Sequence, residues 1–349
     1  CDMQVKKLAE ELWGSLQTPD EITERIYGEG TLYWGGQLSR SEEDELYPSY
    51  KHTAEFLSGL DIQEDFSLAN NSIRFGHRRT ADRDIYFVAN RSDQLQKTVC
   101  TFRASGEAEL WSGVDRSSRK LKQYRTEDGI TSIPLEFVPF ESYFVVFDRQ
   151  KAKENDQKEG EANFATFHTL LSLDGAWELL FDPEFGGPEL IQFDQLEDWS
   201  EHEMRGIKYY SGIATYRKTI QVEELEDKRY FIDLGVVRDI ARVKLNGKDM
   251  GVVWCAPCRI DISSALTEGN NELEIEVANR WINRLLGDSQ DPDANVRTVQ
   301  FDNGLMEGLK YQTGRYTFTT RAAMGSFNFK EPLPSGLLGP VEIVTSNSY

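Results

Sequence analysis

Two runs of strict alternation constrain this chain more than anything else in it. In "ARVKLNGKDMGVVW", Ala241, Val243 and Leu245 alternate with Arg242, Lys244 and Asn246, and the run then meets Asn246-Gly247. Successive side chains of a strand point to opposite faces, so this pattern is a strand with one dry side. Asn-Gly tolerates the two positive-φ positions of a type I′ turn, which makes the segment a hairpin. "NELEIEV" repeats the pattern, with Leu273, Ile275 and Val277 on one face and three glutamates on the other. Strands with one wet and one dry face belong to antiparallel sheets that pack on another layer, as in a sandwich or jelly roll.

The rest of the chain divides around that region. "QVKKLAEELWGSL" puts Val5, Leu8 and Leu12 on one helical face, and "YGEGTLYWG" follows as a turn and a short aromatic strand. "SRSEEDELYPSYKHTAEFLSGL" reads as a helical stretch interrupted near Pro48, with Ser41 as N-cap and Glu42 and Glu43 complementing the helix dipole. Two helices and one strand close a core poorly, so residues 1–70 are expected to be an α/β segment, the tail of a larger domain. From Ser72 the period becomes two. "IYFVANRSD", "TVCTFRASG", "AELWSG" and "GITSIPLEFVPFESYFVVFD" are short β-rich runs between turns, and Ile133, Leu135 and Phe137 alternate with polar or turn-forming residues. Residues 71–150 are therefore expected to form a small antiparallel β-sandwich. A charged stretch poor in large apolar residues makes 151–165 a linker, and 166–349 is the larger sandwich. The fold class is mainly β.

The chain has 349 residues, 39% hydrophobic and 28% charged, which is the composition of a soluble globular protein. No apolar run approaches the roughly 20 residues of a transmembrane helix, so no transmembrane segment is expected. A formal net charge of -20 argues against a nucleic-acid partner and against docking on an anionic membrane, and suits a neutral partner such as a sugar. Four cysteines do not make a disulfide framework. Cys1 stands where either a lipidated mature lipoprotein or an arbitrary cut would put it.

"WCAPCR", Trp254–Arg259, spells the active site of a thioredoxin-like oxidoreductase. That chemistry requires the first cysteine to open a helix, whose N-terminal dipole lowers the thiolate pKa. Here a hairpin strand precedes the motif and "RIDISSAL" follows, with Ile260 and Ile262 in strand alternation. In an extended strand, residues three apart are separated by roughly 10 Å, whereas a disulfide needs Cα atoms within about 7 Å. The favoured reading is two free thiols, with a structural disulfide as the alternative if Pro257 bends the chain. Cys258 shares parity with Ile260 and Ile262 and is expected to be an apolar plug; Trp254 is expected to join it in the core.

Other catalytic motifs are lacking: no Gly-x-Ser-x-Gly elbow, P-loop or His-Glu-x-x-His. His52, His77, His168 and His202 show no ligand spacing, so no zinc site is expected. "GDSQDPDAN" offers Asp288, Asp291 and Asp293 as hard oxygen ligands of the kind calcium takes, without EF-hand spacing, and reads as a solvated acidic loop. No cofactor is expected. "ANRWINRLLGD" combines Trp281 with Asn283, Arg284 and Asp288, beside Asn279. A flat aromatic with planar hydrogen-bonding groups suits a sugar ring, which has an apolar face and a hydroxyl rim; equally, these residues would pin a long loop to the sandwich. His77 and Arg78, in "FGHRRTADRDIYFVAN", form either a polar strand end or a patch facing a sugar or a partner domain.

Several motifs taken in order, "HRRTADRDIYFVANRSD", "FRASGEAELW", "YYSGIATYRKTI", the block from "IDLGVVRDIARVKLNG" to "NRWINRLLGD", and "LPSGLLGPVEI", resemble the C-terminal, non-catalytic half of the glycoside hydrolase family 106 α-L-rhamnosidases. The block from Tyr209 to Asp288 also resembles the sugar-binding sandwich of family 2. The resemblance implies that the larger sandwich is a galactose-binding-like jelly roll. It further implies an accessory carbohydrate-binding or scaffold region of a rhamnosidase-type enzyme acting on rhamnose-containing plant polysaccharide, which would pack against a catalytic barrel. No eight-fold strand–helix alternation exists here to carry the family's catalytic glutamates, so no catalytic residue is expected in this chain. Trp281, Asn283, Arg284 and Asp288, with His77 and Arg78, are the expected glycan or domain-interface contacts. The expected location is periplasmic, outer-membrane-associated or secreted, in a bacterium. A purely structural interface module is the alternative; a self-standing glycosidase ranks below it.

Overall fold

The computed structural model describes residues 2–41, 47, 49–68, 72–151, 157–159, 162–289, 301–302, 305–306 and 331–346; for 157–159, 288–289, 301–302 and 305–306 it describes the backbone. Helix α1 (Asp2–Trp13) leads into the hairpin β1 (Thr23–Tyr27) and β2 (Gly30–Trp34), and α2 (Tyr50–Gly59) follows. The Ser49 hydroxyl caps α2 by accepting from the Lys51 amide at 3.3 Å, so the described helix starts after Pro48. Glu42 and Glu43 lie outside the described residues. Neither α1 nor α2 buries a residue. Val5 and Leu8, the expected apolar face, are 59% and 55% exposed. Their periodicity is helical as read; Leu12, the third residue of that face, is half-buried where the end of α1 meets the hairpin through Trp13 and Trp34, while Val5 and Leu8 stay exposed.

The first sandwich is built from β3 (Phe66–Leu68), β4 (Ile73–Arg79), β5 (Arg83–Asn90), β6 (Gln96–Phe102), β7 (Glu107–Trp111), β8 (Ser118–Lys120), β9 (Gln123–Glu127), β10 (Ile130–Phe137), β11 (Ser142–Asp148) and β12 (Gln157–Glu159). They form two five-stranded sheets, ordered β12-β9-β10-β6-β3 and β4-β5-β11-β7-β8. Ile133, Leu135 and Phe137 are buried with Tyr86, Phe102, Val145 and Phe147 between the sheets. Strand β12 lies within the stretch read as a linker and pairs with β9, so part of that charged run is a sheet edge. Asn163 ties the chain down behind it, accepting from the Lys122 and Gln123 amides at 2.8 and 2.9 Å.

The second sandwich contains β13 (His168–Ser172), β14 (Trp177–Leu180), β15 (Ile191–Phe193), helix α3 (Arg205–Lys208), β16 (Ile213–Val222), β17 (Arg229–Asp233), β18 (Val236–Arg238), β19 (Ile240–Leu245), β20 (Lys248–Val253), β21 (Arg259–Asp261), β22 (Gly269–Ala278), helix α4 (Ile282–Ser289), and, after a separate ribbon of β23 (Phe301–Asp302) and β24 (Leu305–Met306), β25 (Gly336–Gly339) and β26 (Glu342–Ser346). A four-stranded sheet β13-β26-β17-β21 accompanies a six-stranded sheet β15-β14-β16-β22-β19-β20. The fold is mainly β, with antiparallel pairing throughout the named strands. Ala241, Val243, Leu245, Leu273, Ile275 and Val277 are all buried in one core, as their alternation requires. On the wet face the glutamates pair across the sheet, Lys244 to Glu276 and Arg217 to Glu274. Asn246 and Gly247 have φ of 52° and 76°, the two positive values that a type I′ turn needs.

The "WCAPC" segment is a bend between β20 and β21, with no helix after it. Backbone bonds fix it there, Leu234 N donating to Cys258 O and Arg259 N to Pro257 O, both at 2.8 Å. Cys258 is partly buried and packs on the core. Trp254 does not: it is 59% exposed, because the chain leaves the sheet immediately after Val253. The expectation of a core Trp254 is thus corrected. Cys255 and Cys258 are free thiols, and the Cys258 thiol lies 3.7 Å from the Cys255 carbonyl oxygen. Burial pushes both thiols up from the ordinary value, reinforced at Cys255 by the Glu141 charge and at Cys258 by Asp233. This is the opposite of what nucleophilic thiol chemistry needs. The unfolded chain is therefore expected to label at all four cysteines with a thiol reagent, and the native chain to show no insulin reduction. Two labels fewer in denaturant would mean a Cys255–Cys258 bridge.

Candidate functional site

The polar-aromatic loop leaves the six-stranded sheet at the end of β22 and continues into α4. Asn279 turns the corner: its amide nitrogen donates to Tyr210 O at 2.8 Å and to the Ser335 hydroxyl at 3.1 Å, while its amide oxygen accepts from Gly212 N. Asn283 sits 1% exposed in the first turn of α4. Its amide nitrogen donates to Leu333 O at 2.7 Å and to the Ser335 hydroxyl at 2.9 Å, and its oxygen accepts from Leu333 N at 2.7 Å. Arg284 is also buried; its guanidinium donates to Phe185 O, and its backbone N–H to the Ser211 hydroxyl at 3.1 Å. Ser335 N donates in turn to Asp198 at 2.9 Å. A buried polar group is retained only when hydrogen-bonded, and these groups satisfy one another. Beneath them Trp199 Nε1 donates to Tyr216 Oη at 2.7 Å, and Leu337 N donates to the same oxygen at 3.0 Å. Burial raises the Tyr216 phenol well above its ordinary value, so it stays neutral.

Trp281 is different. It is 50% exposed at the outer end of this loop, beside an ion pair of Arg280 and Asp239 at 3.0 Å. The site thus has an aromatic at the surface and, next to it in the chain, a buried and internally hydrogen-bonded polar base. Asp288 falls in the last turns of α4, and its side chain lies outside the described residues, as do Asp291 and Asp293, the other candidate calcium ligands. Among the described residues no cluster of three or more His, Cys, Asp or Glu could hold a metal ion.

His77 and Arg78 belong to β4 of the other sandwich, so the structure does not bring them onto the Trp281 loop. His77 stacks on Tyr86 with ring centroids 4.0 Å apart, and its two ring nitrogens lie 2.9 Å from carboxylate oxygens of Asp65 and Asp84. Burial works to raise the Asp65 pKa, but hydrogen bonds from Arg103 and His77 overcome it and hold the carboxyl low. Asp84 is buried and also accepts from Arg79 Nε at 2.6 Å. His77 is therefore committed to an internal ion network, while Arg78 is exposed.

Sequence reasoning missed a shallow cavity of about 340 Å³ lined by Gln192, Phe193, Asp194, Gln195, Glu197 and His202 at the β15 edge. The His202 ring stacks on Phe193 at 5.4 Å. No motif announces it; its residues converge only through the turn after β15. Among the described residues no helix is long and apolar enough to cross a membrane.

Comparison with known proteins agrees with this architecture. Residues 1–126 match the family model described as alpha-L-rhamnosidase, glycoside hydrolase family 106. Residues 190–312 match the galactose-binding domain-like model of glycosyl hydrolase family 2. A rhamnosidase from Novosphingobium sp. PP1Y superposes with a TM-score of 0.70 at 30% identity, over 98% of this chain and 28% of that one. A putative beta-glucuronidase from Formosa agariphila is 37% identical over 182 residues, 50% of this chain and 15% of that protein. The chain thus spans under a third of the length of either. What its ordered motifs resemble is borne out: this is a rhamnosidase-like region carrying a galactose-binding-like sandwich related to those of glycoside hydrolases.

Proposed function

We propose that the chain is an accessory carbohydrate-binding and scaffold region of a rhamnosidase-type glycoside hydrolase acting on rhamnose-containing plant polysaccharide. The carrying observation is the N-terminal segment. Helices α1 and α2 bury no residue, and Met3, Val5, Leu8 and Ile26 are all exposed. Exposed apolar surface on this scale marks a contact with another folded unit, and the family match over residues 1–126 suggests a catalytic barrel as that unit. In this reading Trp281 is the glycan contact, and Asn283 and Arg284 hold it in place with Asp288 at the end of the same helix. His77 and Arg78 serve the first sandwich. No residue of the chain is assigned a catalytic role, no cofactor is invoked, and the protein works in the periplasm, on the outer membrane or outside a bacterial cell.

Titration calorimetry with rhamnose oligosaccharides tests the sugar contact. Trp281→Ala is expected to weaken binding about fivefold, since one stacked aromatic is worth on the order of 1 kcal/mol. Binding unchanged by that substitution would remove Trp281 from the reading. No binding at all would favour the second reading, a purely structural interface module. That alternative draws on the complete internal satisfaction of Asn279 and Asn283. Robust turnover of an aryl rhamnoside by this chain alone would overturn both.

A further inference from the structure

The outer face of the sheet β4-β5-β11-β7-β8 carries a row of side chains that lie outside the core of the first sandwich; in it Trp111 is held by Glu109 and by Arg83 over its ring. Cross-strand register aligns Gly76, Phe87, Phe144, Trp111 and Ser118. Phe87 and Phe144 point away from the core, 41% and 37% exposed, with ring centroids 5.2 Å apart. At the edge of this row Gly76 leaves a notch: a Cβ built on it meets nothing within 4 Å. Glycine inside a strand weakens it and marks a place where a ligand or another backbone comes close.

Arginines flank the notch. Arg74 and Arg78 stand two residues either side of Gly76 on the same face, so their Cα atoms are roughly 13 Å apart. Arg91 follows β5 with the parity of Ala89, which pairs with Arg74. Among the described residues none of the three has a carboxylate partner; Arg78 only donates to His77 O at 3.0 Å. The acids on this face are engaged elsewhere, Glu107 by Lys120 and Lys151, Asp148 by Lys151 and Glu109 by Trp111 Nε1. Among the described residues the three guanidinium groups thus lack a carboxylate counter-charge, in a chain of net charge -20.

We propose that this face is a binding site for an acidic polysaccharide, with a uronate ring seated over Gly76 against Phe87 and its carboxylate held by Arg74 or Arg78. A guanidinium binds a carboxylate through two parallel N–H donors, and an aromatic covers the apolar face of a sugar ring. The inference rests on the carbohydrate reading above and adds the charge class of the polymer.

Polygalacturonate is the probe, measured by titration against the same polymer with its carboxyls reduced. The native chain is expected to bind the acidic polymer at least about tenfold more tightly than the reduced one, and more weakly as salt rises. Arg74→Ala combined with Arg78→Ala is expected to weaken binding about tenfold or more. Gly76→Val fills the notch at an unstrained strand position. It is expected to abolish binding while the thermal midpoint holds or rises, because valine is the better strand former. Equal binding of the two polymers, or a Gly76→Val protein that binds like its parent, overturns the proposal. So does polyuronate binding that survives the arginine substitutions while association with a separately expressed catalytic portion is lost, since the face would then be an interdomain surface. If polygalacturonate fails and rhamnose oligosaccharides still bind through Trp281, only this inference falls; if both fail, the carbohydrate reading falls with it.

Discussion

Gly336→Ala is expected to destabilise the second sandwich by more than about 4 kcal/mol, a range that overpacking of a buried site combined with backbone strain can reach. Gly336 has a φ of 101°, where an L side chain is strained. A Cβ there would stand 2.6 Å from Trp199 Nε1 and 2.8 Å from Tyr216 Oη. Both rings are fully buried and bonded to each other, so neither can retreat without breaking the bond that satisfies the indole N–H. For a domain of this size the thermal midpoint should fall by about 10 °C or more. Gly247→Ala is the control: its φ is also positive, at 76°, but its Cβ meets nothing within 4 Å. It carries strain alone, about 1 kcal/mol. Equal shifts for the two variants would mean that the Trp199–Tyr216 contact does not anchor β25.

Asn283→Ala is expected to cost about 2–3 kcal/mol, lowering the midpoint by about 5–10 °C. The substitution strips the Leu333 N–H of its side-chain partner, leaves the Leu333 C=O with the Ser335 hydroxyl alone at 3.1 Å, and removes one donor from Ser335. Ser335 keeps its bond to Asn279, and Leu333 is only partly buried, which limits the loss. Amide exchange at Leu333 should accelerate with the destabilisation. Trp281→Ala, on the exposed end of the same loop, should change stability by less than about 0.5 kcal/mol. The pair separates two roles that share one motif. If Asn283→Ala instead left the midpoint unchanged and abolished sugar binding, Asn283 would be a ligand contact and the hydrogen bonds to Leu333 incidental.

Much of the fold was legible because burial in a sheet has a period of two. Ala241 to Leu245 and Leu273 to Val277 could be assigned to one dry face by parity, and Asn246-Gly247 could be assigned to the turn by its tolerance of positive φ. The same reasoning dismissed the thioredoxin-like reading of "WCAPC", since a strand rather than a helix follows Cys258. It failed one residue from the strand end: Trp254 lies beyond Val253, where parity no longer says which way a side chain points. It fell short again at α1, whose amphipathic period is real although only its Leu12 end is half-buried and Val5 and Leu8 are exposed. A periodicity states that a face is apolar and never what covers it.

The candidate site divides along the same line. Its residue types were visible in "ANRWINRLLGD", but their roles were not, because an asparagine that binds a sugar and one that binds Leu333 look alike in sequence. The arginine-flanked notch at Gly76 was less visible still. Its row is assembled from four strands and the following β8 edge, and only register aligns Phe87 with Gly76 on one side and Phe144 on the other. By itself, then, the sequence determined the local choices of strand, turn and dry face, which depend on neighbours two residues away. The tertiary structure decided which polar groups are sealed inside and which aromatics and arginines are left facing solvent, because those depend on partners such as Asn283 and Leu333, 50 residues apart in the chain.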